Sequence, residues 1–205
     1  MFYFSMRITN TFKTFGLTLA MASLTIGANR ICAQNPQKDD FSIATATPKG
    51  TDSKNILAGA PSPDIEIAGE EKTAKFVIDL STNTLYKYNV QGKAEMAYLI
   101  ASGKESTPTS KGVRIVTHTE TYPYRTALRG TKRRRSPGAY GPKIICLNKI
   151  DPQTGEQSQT GEFIHGTNDL SSIGKYASHG CMRMDNEVIK ELSQEVKRGD
   201  IVIIK

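Results

Sequence analysis

The sequence predicts a mostly β domain, a meandering sheet or sandwich, with one helix behind a glycine-bearing turn. Two observations carry this expectation. Short β-branched and aromatic runs recur at roughly 8–12-residue spacing with turn residues between them, and one stretch keeps a helical period. The strand-like text opens at Lys75-Phe76-Val77-Ile78-Asp79-Leu80 and continues through Thr84-Leu85-Tyr86-Lys87-Tyr88-Asn89-Val90 and Glu95-Met96-Ala97-Tyr98-Leu99-Ile100. Ser81-Thr82-Asn83 and Gln91-Gly92-Lys93 are turn material between these runs. Gly112 to Thr119 and Lys143 to Leu147 read as further strands, and Asp200-Ile201-Val202-Ile203-Ile204 as the last. The helix has Asp185 as its N-cap, Val188, Ile189, Leu192 and Val196 as one apolar stripe, and Gly199 as its stop.

At 205 residues the chain fits one catalytic domain plus extensions. Residues 1–33 read as an export signal. Arg7 and Lys13 supply the positive start, Phe15 to Ala28 is uncharged and largely apolar, and small residues offer cleavage after Ala28 or Ala33. Retained, the segment would be an N-terminal anchor, and only then is a membrane a partner. A lipoprotein reading through Cys32 is disfavoured by the bulk of Arg30 and Ile31 just before it. Residues 34–71 read as a disordered linker, because Pro36, Pro48, Pro61 and Pro63 disfavour helix and scattered apolar residues cannot offset the ordering entropy. Residues 72–205 are expected to form the compact domain that carries the chemistry. The expected location is the periplasm or cell envelope.

Lys and Arg total 27 against 20 Asp and Glu, a formal net charge of +7 that favours anionic surroundings. Nucleic acid is excluded as the partner, since no recognised binding module accompanies the charge. The basic run Arg129 to Pro142, dense in Gly and Pro, reads by default as a solvated loop; its alternative role is a lid or docking surface for an anionic polymer.

The chemistry concentrates between residues 163 and 183. His165 stands in Phe163-Ile164-His165-Gly166-Thr167 and Cys181 in Ser178-His179-Gly180-Cys181-Met182-Arg183, sixteen positions apart. A thiol of ordinary pKa, about 8.5, is mostly protonated at neutral pH and needs an imidazole within reach to act as a nucleophile. His165 and His179 are the candidates, and a neighbouring imidazolium would pull the thiolate pKa below its free value. Gly180 permits a sharp turn and leaves the N–H groups of Gly180 and Cys181 facing a developing oxyanion. Cys146, inside Lys143-Ile144-Ile145-Cys146-Leu147, reads as a buried core thiol. His118, in Thr117-His118-Thr119-Glu120, reads as surface or structural.

Ile164-His165-Gly166-Thr167 followed by Ser178-His179-Gly180-Cys181-Met182-Arg183-Met184 resembles the signature of the YkuD-type L,D-transpeptidases. Val77-Ile78-Asp79-Leu80, Leu85-Tyr86-Lys87-Tyr88 and Ser102-Gly103-Lys104 with Thr107-Pro108-Thr109 resemble that family's opening strands and Thr-Pro turn. The resemblance spans roughly residues 74 to 205. It departs at Ser110-Lys111, before Gly112, and at the long basic loop. It implies a YkuD-like β-sandwich or mixed-sheet catalytic domain without a cofactor or metal. It also implies a cysteine-dependent acyl transfer on peptidoglycan stem peptides, as donor and acceptor, in cell-wall cross-linking or remodelling. In that reading Cys181 is the nucleophile and His165 the base, with the Gly166 main chain fixing the imidazole tautomer. Gly180 belongs to the oxyanion site, Ser178 and His179 shape the pocket, and Arg183 holds a stem carboxylate. The same thiol is expected to be acylated by carbapenems. Alternatives are an L,D-carboxypeptidase or other hydrolase on the same substrate, a metal site built from His165, His179 and Cys181, and a non-catalytic envelope-binding domain.

Overall fold

The computed structural model describes residues 57–125 and 127–205. The expected export signal and the linker up to residue 56 lie outside the described residues. Strand alternation organises everything that follows, because successive side chains point to opposite faces of a sheet. The strands are β1 (Asp64–Ile67), β2 (Glu70–Thr73), β3 (Phe76–Asp79), β4 (Thr84–Tyr88), β5 (Ala94–Leu99), β6 (Ser102–Gly103), β7 (Gly112–Thr121), β8 (Lys143–Ile150), β9 (Gln157–His165), β10 (Tyr176–Ser178), β11 (Met182–Arg183) and β12 (Ile201–Ile204). Eight of them make one mixed sheet in the order β11-β9-β8-β7-β12-β3-β4-β5. The apolar runs Phe76-Val77-Ile78 and Ile201 to Ile204 are buried throughout because β3 and β12 are central strands, covered on both faces and paired in parallel.

One face packs Phe76, Ile78, Leu85, Ile145, Leu147, Ile164, Val202 and Ile204 against helix α2 (Asn186–Glu195) through Ile189 and Leu192. The opposite face is covered in two halves. Over β3, β4 and β12, Val77, Tyr86, Tyr88, Ile201 and Ile203 meet Ile67 of the β1-β2 hairpin. Over β8 and β9, Ile144 and Cys146 meet Tyr124, Ala127, Tyr140 and Phe163 beneath the basic segment. Asp185 caps α2 as expected, its carboxylate accepting from the amides of Glu187 and Val188.

The structure departs from the sequence expectation at four places. Residues 64–71 belong to a folded hairpin rather than to a linker, its turn made by Ala68 and Gly69 with φ of 50° and 81°, and Ile67 is buried. Strand β9 was not expected: its first half, Gln157-Ser158-Gln159-Thr160, is polar and largely exposed, so its text carries no apolar alternation. Helix α2 ends at Glu195, and Val196 continues the apolar stripe from an extended conformation. The basic run contains the short helix α1 (Lys132–Arg135) and a 3-10 turn at Pro137–Tyr140.

A buried ion network accounts for Ser110. Arg114, fully buried on β7, donates from Nε to Glu162 Oε2 at 2.9 Å and from Nη2 to the Ser110 carbonyl at 2.8 Å. The Ser110 hydroxyl and amide both donate to Glu162 Oε1, at 2.7 and 3.1 Å. The loop before β7 is thereby fastened to β9 beside the candidate site. Glu162→Ala leaves the buried guanidinium without its counter-charge and is expected to cost about 3–5 kcal/mol in urea unfolding; an unchanged midpoint would remove this network from the account of the fold.

Candidate active site

The parallel pairing of β11 with β9 puts Met182 beside Ile164 and Arg183 beside His165. Cys181, one residue earlier, therefore comes level with the Phe163 end of β9, and the sixteen-residue interval in sequence collapses to adjacent strands. Cys181, His165, His179, Ser178 and Arg183 line one small cavity of about 60 Å³, which Lys132, Ala139 and Tyr140 from the basic segment also line. The structure thus brings together the residues singled out in the sequence. It also assigns the basic run: part of it is a flap over this cavity, not a solvated loop throughout.

The two histidines differ in how they are held. His165 is 3% exposed, and its Nδ1 donates to the Gly166 carbonyl at 2.5 Å, which leaves Nε2 as the free ring nitrogen. Its ring lies 4.8 Å from that of Tyr140. The Gly166 turn is locked from the helix: Asn186 Oδ1 accepts from the Thr167 amide and its Nδ2 donates to the Thr167 carbonyl, each at 2.9 Å. Gly166 has to be glycine, since a Cβ there would stand 2.3 Å from Asn186 Oδ1 and 2.8 Å from Pro142. His179 is exposed and makes no hydrogen bond among the described residues. The fixed imidazole is therefore His165. The Cys181 thiol donates weakly to the Gly161 carbonyl at 3.9 Å and touches neither imidazole at hydrogen-bond distance in this resting arrangement.

The turn around Cys181 corrects the expected oxyanion site. The Gly180 amide already donates to Ser178 Oγ at 3.1 Å, and the same hydroxyl donates to the Cys181 carbonyl at 2.5 Å, so Ser178 cross-braces the turn. The Cys181 amide has no partner among the described residues and is the donor left over. Gly180 adopts φ of 110°, the region where glycine is needed. The Thr-Pro turn proves to be its brace, a role the sequence did not disclose. Thr109, buried, donates to the Gly180 carbonyl at 2.9 Å and accepts from the Gly103 amide at 2.9 Å, while Thr107 Oγ1 reaches the Ser178 carbonyl at 3.3 Å.

A model of the L,D-transpeptidase catalytic domain family, YkuD, matches residues 73–204, well over half of the chain. The chain belongs to this family. It is similar to the provisionally named L,D-transpeptidase YkuD of Bacillus licheniformis, 31% identical over 130 residues covering 63% of this chain and 64% of that protein. It is also similar to the provisionally named L,D-transpeptidase YqjB of Bacillus subtilis, 28% identical over 128 residues covering 62% of this chain and 69% of that protein. The match thus spans less than two thirds of the Bacillus licheniformis relative's length. Among solved structures, a mutant Enterococcus faecium L,D-transpeptidase superposes with a TM-score of 0.47 at 22% identity, over 65% of this chain and 50% of that one.

The electrostatics also correct an expectation. Burial raises the Cys181 thiol above its ordinary value; the Phe163 backbone bond and the Arg183 and Arg133 guanidinium groups lower it, and Glu162 raises it further. Burial likewise depresses His165, to about 4, against a raising contribution from the Gly166 carbonyl. Both shifts favour the neutral thiol and neutral imidazole over the thiolate–imidazolium pair expected from the sequence. Iodoacetamide labelling of Cys181 should rise only above the ordinary thiol range of about 8.5 and should fade, not persist, in mild acid; a profile centred in mild acid would restore the ion pair.

His165 also makes stability pH-dependent. Its folded-state value lies below the unfolded one of about 6.5, so its contribution is complete above about pH 6.5 and is lost as pH falls toward 4. The wild type should lose up to about 3 kcal/mol relative to His165→Gln over that window in chemical denaturation. Parallel curves for the two proteins would contradict the burial argument.

Proposed function

We propose that the protein is an exported, cysteine-dependent L,D-transpeptidase that acts on peptidoglycan stem peptides in the cell envelope. The observation that carries this reading is the buried His165, its Nδ1 tied to Gly166, sharing a small cavity with Cys181. Because the resting pair is neutral, proton transfer and attack are coupled. Cys181 Sγ bonds to the carbonyl carbon between the L-centre residue and the terminal D-Ala as the thiol proton passes to His165 Nε2. The oxyanion meets the free Cys181 amide. As the C–N bond breaks, the imidazolium returns its proton to the departing D-Ala amine, leaving a thioester on Cys181. The amine of a second stem attacks the thioester, its proton passes through His165, and the free thiol is regenerated with the new amide. Water in place of the amine gives hydrolysis, the carboxypeptidase outcome.

Arg183 is available to the donor's carboxylate. Its side chain stands 3.7 Å from the exposed Asp169, a loose pair worth at most about 1 kcal/mol, so a substrate carboxylate can replace it with a bidentate contact. A carbapenem offers the same thiol a strained acyl group and is expected to acylate it.

Cys181→Ala should abolish both turnover of a tetrapeptide donor and the carbapenem adduct in intact-protein mass spectra, while Cys146→Ala keeps both. His165→Ala should slow acylation by about 10²–10⁴, and His179→Ala far less. Undiminished turnover by Cys181→Ala would end this reading; a steeper loss in His179→Ala would exchange the two histidines.

A further inference from the structure

On the flap-covered face, two strands away from Cys181, the sheet register assembles a second set of reactive side chains. His118 on β7 pairs directly with Cys146 on β8, and Glu120, two residues along β7, projects from the same face. One ligand atom from each of the three lies within 4.8 Å of the other two. Glu120 is 5% exposed and its Oε2 is buried with no hydrogen-bond partner among the described residues, which leaves one oxygen of the cluster's carboxylate unsatisfied. His118 is exposed and opens the cluster to solvent, with Nδ1 on Thr117 Oγ1 at 3.0 Å and Nε2 facing Glu120 Oε1 at 3.4 Å. The Arg133 guanidinium of the flap is the remaining neighbour, 3.5 Å from Glu120 Oε1 and 3.8 Å from Cys146 Sγ, with its other face on the Phe163 ring.

We propose that His118, Glu120 and Cys146 form a binding site for a thiophilic divalent cation of the zinc class, and that the cation competes with Arg133 for it. Nitrogen, carboxylate oxygen and sulfur are the donors such a cation accepts, and three protein ligands leave a fourth position for water. Bonds of about 2.0–2.3 Å in a tetrahedron put ligand atoms about 3.3–3.6 Å apart, so closing the cluster requires side-chain adjustment of about 1 Å. The Thr117 hydroxyl fixes His118 with Nε2 toward the cation. Coordination replaces the S–H bond of Cys146 by a sulfur–metal bond and releases that proton to solvent, so affinity rises with pH. Burial, which pushes the free Cys146 thiol up to about 12, is offset by the cation's charge. A dication and a guanidinium cannot share one carboxylate and one sulfur at these distances. Occupancy therefore detaches Arg133 from the sheet and removes one of the anchors of α1, Arg134 on the Arg125 and Ala127 carbonyls being the other. This inference is independent of the transpeptidase reading.

The test is titration of the chelator-treated full chain with cobalt(II) chloride, read by the thiolate-to-cobalt charge-transfer band. The band should form in the wild type and in Cys181→Ala and be missing in Cys146→Ala. His118→Ala, a change at an exposed side chain that leaves the fold undisturbed, should weaken binding by about tenfold or more. Arg133→Ala should tighten it by about tenfold or more, since a competing positive charge is removed. Zinc chloride should displace the cobalt. No band in the wild type, a band lost with Cys181→Ala, or affinity unchanged in His118→Ala would each overturn the site. Unchanged or weaker binding by Arg133→Ala would overturn the competition.

Discussion

The parallel contact of the two-residue strand β11 with the end of β9 is the constraint on which the rest of the site depends. It aligns Arg183 with His165 and sets Cys181 at the strand end, so the thiol's position is fixed by backbone hydrogen bonds rather than by a flexible loop. Everything around it opposes slippage. The Met184 amide donates to the His165 carbonyl, Arg183 exchanges hydrogen bonds with Ala101 in both directions, and Thr109 holds the Gly180 carbonyl. Below, Met182 and Met184 enter the core packed by Ile189 and Leu192 of α2. A one-residue slip of β11 would turn Met182 out of that core, which is why its register is well specified.

Burial then decides the chemistry that such a fixed pair can do. Burial that raises the thiol and depresses the imidazole disfavours an ion pair in the resting state, so the reactive charge is favoured to arise together with the new bond. A thiol kept neutral is also less open to oxidation, because thiolate character and exposure set that susceptibility. Under the function proposed above, an acyl donor that brings a carboxylate to Arg183 and a carbonyl to the Cys181 amide would also supply the environment in which proton transfer becomes favourable.

Much of this was legible in the sequence, and the remainder was hidden for identifiable reasons. Strands made of β-branched and aromatic runs, such as Phe76 to Asp79 and Ile201 to Ile204, announce themselves because both of their faces are buried. The helix was readable from its cap and stripe. Strand β9 was not, because half of it faces solvent and its polar text resembles a loop; its apolar end, Phe163-Ile164-His165, was noticed only for its chemistry. The β1-β2 hairpin was lost in a proline-rich neighbourhood whose few apolar residues, Ile65 and Ile67, become informative only once Val77 and Ile203 are seen beneath them. Cys181 and His165 could be named from their motif. That Ser178 occupies the Gly180 amide could not, since hydrogen bonds within a turn depend on dihedral angles that the residue types do not determine.

The flap exposes the last physical requirement of the site. The cavity of about 60 Å³ beside Cys181 is half-open to solvent, and Lys132, Ala139 and Tyr140 form one of its walls, so a peptide laid in it packs against this segment and can displace it. Its attachments are unequal. Tyr124, fully buried, donates its hydroxyl to the Tyr140 and Gly141 carbonyls and holds the C-terminal end of the segment to the sheet. Helix α1 buries none of its residues; Arg133 holds it by a cation–π contact of 4.6 Å and two long polar contacts, and Arg134 Nη1 donates to the Arg125 and Ala127 carbonyls at 2.7 and 3.3 Å. Contacts of that kind are each worth about 1 kcal/mol or less at a half-open surface, so their loss is within reach of substrate binding energy. The segment should therefore open from its basic end while Tyr140 stays against His165. In that motion Lys132 and Arg133 to Arg135 swing at the mouth of the cavity, where an anionic donor would meet them first.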